Sequence, residues 1–368
     1  MNVFLLFASF AVSAILFEFS IRILVHYGMI AIPPPMSVDD NFYDGNHPVF
    51  GVWRRPGASV VQWSPCFKVE YHTNDVGALD RERNPRSDQS RVVVLGDSFV
   101  EGWGLPTEAR VSNLLEKATG LEHLNFAMAH FGPYQSYLAY RDLAKKFDHD
   151  YVLVGMTPVN DFVDLDYEAA RDALTYEYRY RPYLVGEYPD YQPYNFRESK
   201  IQRFGRRQTY SYAALNLAWH RIRGVPDSEY DRPVKNKNGF YHSYYYDFSE
   251  KQFDLLRYSL ELLLHEANGK RVAVYLIPAQ RDFARYEQQP QASRLEQRLK
   301  EFAVGRNLKV IDLMPEMFQA GKWREYFFSC DYHWSERGNA VAAGILKREL
   351  LEFFYKPSTA SKSSGKKE

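Results

Sequence analysis

Apolar positions fall along this chain in runs of different length, and each length predicts a different element. The longest, Val3 to Phe17 (VFLLFASFAVSAILF), is uncharged and almost wholly apolar, and apolar character resumes from Ile21 to Val25. A helix rising ~1.5 Å per residue needs about 20 such residues to cross a hydrocarbon core. Residues 1–28 are therefore expected to form one transmembrane anchor. Glu18 and Arg22, a single helical turn from each other, interrupt its second half, where they could pair or where Arg22 could snorkel. A cleaved signal peptide is the competing reading, but neither a basic n-region nor a small-x-small cleavage site is convincing. Arg22, Arg54 and Arg55 follow the run, and the positive-inside rule alone would place what comes next in the cytoplasm.

Shorter runs follow. Ile32 to Pro35 breaks the helix, and residues 29–90 read as a linker and a small β-rich preface with runs such as VFGVW and FKVEYHT and a turn at Asn74–Gly77. Arg91–Leu95, Leu121–Phe126, Tyr151–Met156, Arg271–Ile277 and Leu308–Leu313 are strand-length apolar runs. Helical patterns lie between them at Tyr134–Phe147, Glu250–Ala267 and Ser293–Val304, and another starts at Arg110. This alternation predicts an α/β domain over residues 91–355, a mainly parallel sheet with helices on both faces. It stops between about 164 and 247, a Tyr-, Arg- and Pro-rich stretch expected to insert over the ligand-binding sheet edge or to be a solvated excursion. The Ser/Lys-rich tail, 356–368, is expected to be disordered.

Composition narrows the partners. Lys+Arg and Asp+Glu both number 46, a balance that excludes the basic face a nucleic-acid binder needs. Aromatic residues make up 16%, with 28 Tyr and 25 Phe, which suits stacking on sugar rings or filling a core. Cys66 and Cys330 could form a disulfide in an oxidising compartment or remain two buried thiols in the cytosol. The histidines show no metal-ligand pairing, and Gly96, Gly102 and Gly104 lack dinucleotide spacing, so no metal or cofactor is expected.

The chemistry-bearing residues gather at strand ends. Gly96-Asp97-Ser98 closes the first core strand, where a glycine allows a sharp bend and a helix start offers unpaired N–H groups. Asn160-Asp161 follows the third core strand. Asp331-Tyr332-His333-Trp334 stands near the C-terminus, pairing a base with an orienting carboxylate. Asp97 and Glu101 are expected to support the nucleophile turn.

These motifs, in this order, resemble the SGNH (GDSL-like) hydrolase superfamily from about Arg91 to the last helix. Gly51-Val52-Trp53-Arg54-Arg55-Pro56-Gly57 and Thr73-Asn74-Asp75-Val76-Gly77 also resemble the segment preceding the nucleophile in membrane-anchored, exopolysaccharide-associated members. The resemblance implies a three-layer fold with Ser98, His333 and Asp331 as the catalytic set. It implies an oxyanion hole made by the Ser98 N–H, a glycine N–H and the Asn160 side chain. The usual glycine position falls on His130, and Gly132, two residues later, is taken as the backbone donor. The Asp-x-His-Trp form is similar to alginate-type polysaccharide O-acetyltransferases. Implied with it are an extracytoplasmic (periplasmic-side) domain held by the anchor, a carbohydrate or acyl-ester substrate, and exopolysaccharide assembly proteins as partners. The competing functions are a lipase or thioesterase with an acyl channel, and a non-catalytic glycan-binding or assembly protein.

Overall fold

The structure is a computed structural model and describes residues 3–30, 41–172, 180–223, 235 and 239–355. The expected disordered tail, 356–368, lies outside the described residues, as does a portion of the insertion. Helix α1 (Val3–His26) is followed by two antiparallel hairpins, β1 (Tyr43–His47) with β2 (Gly51–Arg54) and β3 (Ser59–Ser64) with β4 (Phe67–His72). Then come β5 (Arg91–Leu95), α2 (Ser98–Glu101), α3 (Val111–Thr119), β6 (Glu122–Asn125), α4 (Pro133–Asp142), β7 (Tyr151–Met156) and α5 (Pro158–Asp164). The insertion adds α6 (Tyr167–Asp172), the antiparallel pair β8 (Pro182–Val185) and β9 (Gln192–Asn195), α7 (Lys200–Gln208) and α8 (Tyr210–Arg223). The alternation resumes with α9 (Glu250–Ala267), β10 (Arg271–Leu276), α10 (Gln280–Gln288), α11 (Arg294–Ala303), β11 (Leu308–Asp312), α12 (Met314–Gln319) and α13 (Glu336–Tyr355).

Strands β5, β6, β7, β10 and β11 form one parallel sheet in the order β11-β10-β7-β5-β6. Its central strands are apolar at consecutive positions because both faces are covered: Val92, Val93, Val94 and Leu95 have no exposed surface. The chain moves outward from β5 to β6 and then returns past β5 to β7, and right-handed crossovers put the connecting helices of the two moves on opposite faces. The helix pairs α3–α13 and α4–α9 are the two covering layers. The reversal between β5 and β7 is a topological switch point, where the carboxyl ends of neighbouring strands diverge and leave a crevice.

The preface is fastened to this core. Phe42, Val69, Tyr71 and Leu79 make a small satellite core within the preface, and the Tyr71 hydroxyl accepts the Gly104 N–H at 2.6 Å, tying it to the sheet domain. Gly51 begins β2 with φ +79°, and a Cβ there would come within 2.5 Å of the Arg181 Cα, so the strand lies directly against the insertion. Cys66, in the β3–β4 turn, is disulfide-bonded to Cys330 with Cα atoms 5.7 Å apart, which settles the pairing that the sequence left open. Helix α1 is long and apolar enough to cross a membrane, and Ile21 is its buried residue.

Candidate active site

The nucleophile turn follows from local chemistry. Gly96 adopts φ +149°, and a Cβ there would lie 2.4 Å from Val100 Cγ2 and 2.8 Å from the Gly155 carbonyl oxygen, so glycine alone fits. Asp97 caps α2 by accepting the Phe99 N–H at 3.0 Å, which leaves Ser98 as the first helical residue, 7% exposed. The second Asp97 oxygen accepts from Asn160 Nδ2 at 2.8 Å, joining the ends of β5 and β7 across the switch point. An amide nitrogen carries two protons, so this bond fixes the Asn160 side chain and leaves it a second donor. Burial pushes the Asp97 carboxyl up to about 6, against the lowering effect of the Asn160 and Phe99 hydrogen bonds.

His333 comes to Ser98 from the other end of the chain. Its Nε2 is 2.7 Å from Ser98 Oγ, and its Nδ1 is 2.5 Å from Asp331 Oδ1. The same Asp331 oxygen accepts the His333 backbone N–H at 2.8 Å, so one carboxylate fixes both the ring and the main chain that bears it. Burial would raise the Asp331 carboxyl, but the His333 hydrogen bonds and charge hold it below the usual carboxylate value. Phe99 and Tyr332 flank the imidazole with ring centroids at 4.9 and 4.4 Å, and buried Trp334 meets Phe99 edge-on at 5.7 Å. The loop is closed by the Phe328 N–H donating to the His333 carbonyl at 3.0 Å and by the disulfide at Cys330, one residue before Asp331.

Two supports carry no strong sequence signal. Arg54 of β2 and Glu101 of α2 form an ion pair at 2.6 Å with both side chains fully buried. Glu101 also accepts the Ala129 N–H, and Arg54 donates to the Ala127 carbonyl at 3.3 Å. The preface thus holds the nucleophile helix and the β6–α4 loop together, and the Trp-Arg-Arg-Pro-Gly resemblance is the one signal that marked it. Arg181, inside the insertion, is paired with Asp164 at 2.5 Å in a buried contact and donates to the His130 carbonyl.

Gly132 requires a correction. Its N–H donates to Gln135 Oε1 at 3.1 Å, as the N-cap of α4, and is not directed at Ser98. The N–H groups of Ala127, Met128, Ala129 and Phe131 are also engaged, with Asn125, Gly96, Glu101 and Met128. The left-handed residue of this loop is His130, at φ +66°, where the family's glycine would stand. Burial, then the charges of Arg181 and His333, push its imidazole down to about 3, so it is neutral near His333.

A family model described as SGNH hydrolase-like domain, acetyltransferase AlgX, matches residues 260–363, the segment that carries Asp331 and His333. Among solved structures the chain is similar to a member of the lipolytic G-D-S-L family from Veillonella parvula at 13% identity, covering 73% of this chain and all of that one, with a TM-score of 0.37. A lipase/acylhydrolase from Enterococcus faecalis is similar at 16% identity over 71% of this chain and 96% of that one, TM-score 0.37. The psychrotrophic esterase EstA from Pseudoalteromonas sp. is similar at 11% over 73% and 100%, TM-score 0.38. No curated protein matches the sequence. The family match likens residues 260–363 to an SGNH hydrolase-like domain, and the parallel sheet with its strand-edge site agrees with that likeness.

Proposed function

We propose that the protein is a membrane-anchored serine enzyme that removes or transfers O-acetyl groups on an extracytoplasmic carbohydrate, with an exopolysaccharide as the natural polymer. The observation that carries this reading is the Ser98 Oγ–His333 Nε2–Asp331 relay, closed at 2.7 and 2.5 Å at the carboxyl edge of the sheet. In it His333 Nε2 takes the Ser98 proton as Oγ attacks the acyl carbonyl, and the oxyanion is received by the Ser98 N–H and the second Asn160 amide proton. The ester bond breaks as Nε2 returns the proton to the departing alcohol, leaving an acyl-serine. Water or a sugar hydroxyl, deprotonated by the same nitrogen, then attacks the acyl carbonyl, and the acyl–Ser98 Oγ bond breaks as Nε2 returns the proton to Oγ.

The AlgX description of the matched segment supports acetyl chemistry, and the Cys66–Cys330 disulfide supports an oxidising, periplasmic-side compartment. Exopolysaccharide assembly proteins are the partners this placement calls for. The full chain in detergent is expected to release p-nitrophenol from the acetyl ester and to turn over long-chain esters poorly. Ser98→Ala is expected to fall to background, and activity that survived it would overturn the reading. A good long-chain rate would favour a lipase.

A further inference from the structure

The insertion carries a feature that esterase chemistry does not use. Glu18 of α1 accepts the backbone N–H groups of Tyr210 and Ser211 at 3.0 and 2.8 Å and the Ser211 hydroxyl at 2.7 Å. Arg22, bonded to Glu18 at 2.7 Å, donates to the Gln208 carbonyl at 2.7 Å, and its guanidinium lies over the Tyr210 ring. The two charged residues that interrupt the apolar run therefore clamp the junction between α7 and α8 onto the anchor. The depth of that clamp follows from helix geometry: about 20 residues at ~1.5 Å each cross the hydrocarbon core, and 20 residues counted from Val3 end at Arg22. The α7–α8 junction is thus pinned where hydrocarbon gives way to headgroups.

On either side of that junction the two helices expose large apolar side chains. Ile201 and Phe204, three residues apart on α7, are 85% and 65% exposed, and Leu215 and Ile222, two turns apart on α8, are 62% and 79% exposed. Lys200 stands exposed beside Ile201, the mixture of basic and apolar groups that suits a headgroup boundary. Water would oppose four such side chains, whereas a bilayer surface favours them by about 25 cal/mol for each Å² removed from water. We infer that α7 and α8 form a second, interfacial membrane contact, with Ile201, Phe204, Leu215 and Ile222 set into the lipid surface beside α1. The contact would fix the orientation of the catalytic domain relative to the bilayer, because the insertion also reaches the site through Arg181. It rests on α1 being a membrane anchor, and the test separates the two.

Full-length chain carrying a single added cysteine, its native pair left disulfide-bonded, is labelled with an environment-sensitive fluorophore and reconstituted into vesicles containing spin-labelled phospholipid. Phe204→Cys reports on the hairpin, Phe7→Cys on the anchor and Val304→Cys, 76% exposed on the catalytic domain, on water. The label at 204 is expected to be blue-shifted and quenched by the lipid at least about twofold more than the label at 304, as for an interfacial helix. Quenching at 7 without quenching at 204 would overturn the hairpin contact and leave the anchor standing. Absence of quenching at both positions would overturn both.

Discussion

At the scale of single residues, the site is a set of hydrogen bonds in which each partner has one role to fill. Asp331 holds His333 by two bonds from a single oxygen, so it fixes the tautomer with Nε2 free to accept from Ser98. Asp331→Asn keeps the shape but lets the ring present the wrong nitrogen, and kcat on p-nitrophenyl acetate is expected to fall about 10⁴-fold with little change in KM. Asp97 makes a thermal rather than a kinetic prediction. Burial keeps its folded carboxyl protonated to about pH 6, whereas an unfolded one ionises near 3.8. Between those values the folded state holds the extra proton, so stability falls as pH rises through that window. A shift of that size corresponds to about 3 kcal/mol at most. Melting curves from pH 4 to 7 are expected to show this decline in the parent chain and to lose much of it in Asp97→Asn; identical pH profiles would contradict the assignment. The positions of Ser98 and Asn160 were legible in the sequence because each sits in a short motif at a strand end, and those of Asp331 and His333 because a carboxylate stands two residues before a histidine in the loop before α13. The backbone donor was not legible. Gly132 is suitable by residue type, yet its N–H belongs to Gln135, and the left-handed position falls on His130, the position the resemblance assigned to the family's glycine.

At the scale of elements, the candidate site is held by segments that precede the sheet in sequence. The β3–β4 hairpin holds the catalytic loop through Cys66–Cys330, and β2 holds the nucleophile helix through Arg54–Glu101. The disulfide closes a sequence separation of 264 residues, for which chain entropy alone predicts about 5 kcal/mol of stabilisation. Because Cys330 adjoins Asp331, Cys66→Ser is expected to lower both the melting temperature and kcat while leaving KM nearly constant, measured on the purified full chain. Arg54→Ala is expected to cost about 3–5 kcal/mol by leaving Glu101 as an unpaired buried charge, read as a shift in the denaturant midpoint. The central strands β5, β7 and β10 could be read in advance because burial on both faces demands near-continuous apolar runs, and α9 appears as its pattern predicted, Glu250–Ala267. Helices α7 and α8 gave no such signal. They lie in the stretch read only as an insertion or excursion, and the apolar residues Ile201, Phe204, Leu215 and Ile222 are exposed rather than turned to the core.

At the scale of the whole molecule, the anchor and the chemistry are joined by fastenings at only one end. The described side-chain bonds of α1 run to Gln208, Tyr210 and Ser211, whereas the relay is held by β5, α5, the preface and the loop before α13. Sites with no shared partner contribute independently to within a few tenths of a kcal/mol. A chain beginning at residue 41 is therefore expected to keep kcat/KM on a small soluble ester to within about twofold of the full chain. Its behaviour with membranes should differ in kind. On the proposed reading, removing α1 removes the transmembrane attachment, while the exposed Ile201, Phe204, Leu215 and Ile222 remain as a weak, reversible interfacial contact. Sedimentation with vesicles is thus expected to change from complete and wash-resistant for the full chain to partial and concentration-dependent for the shortened one. A large loss of esterase turnover on shortening would show that the anchor shapes the site itself and that the two halves of the molecule are not independent.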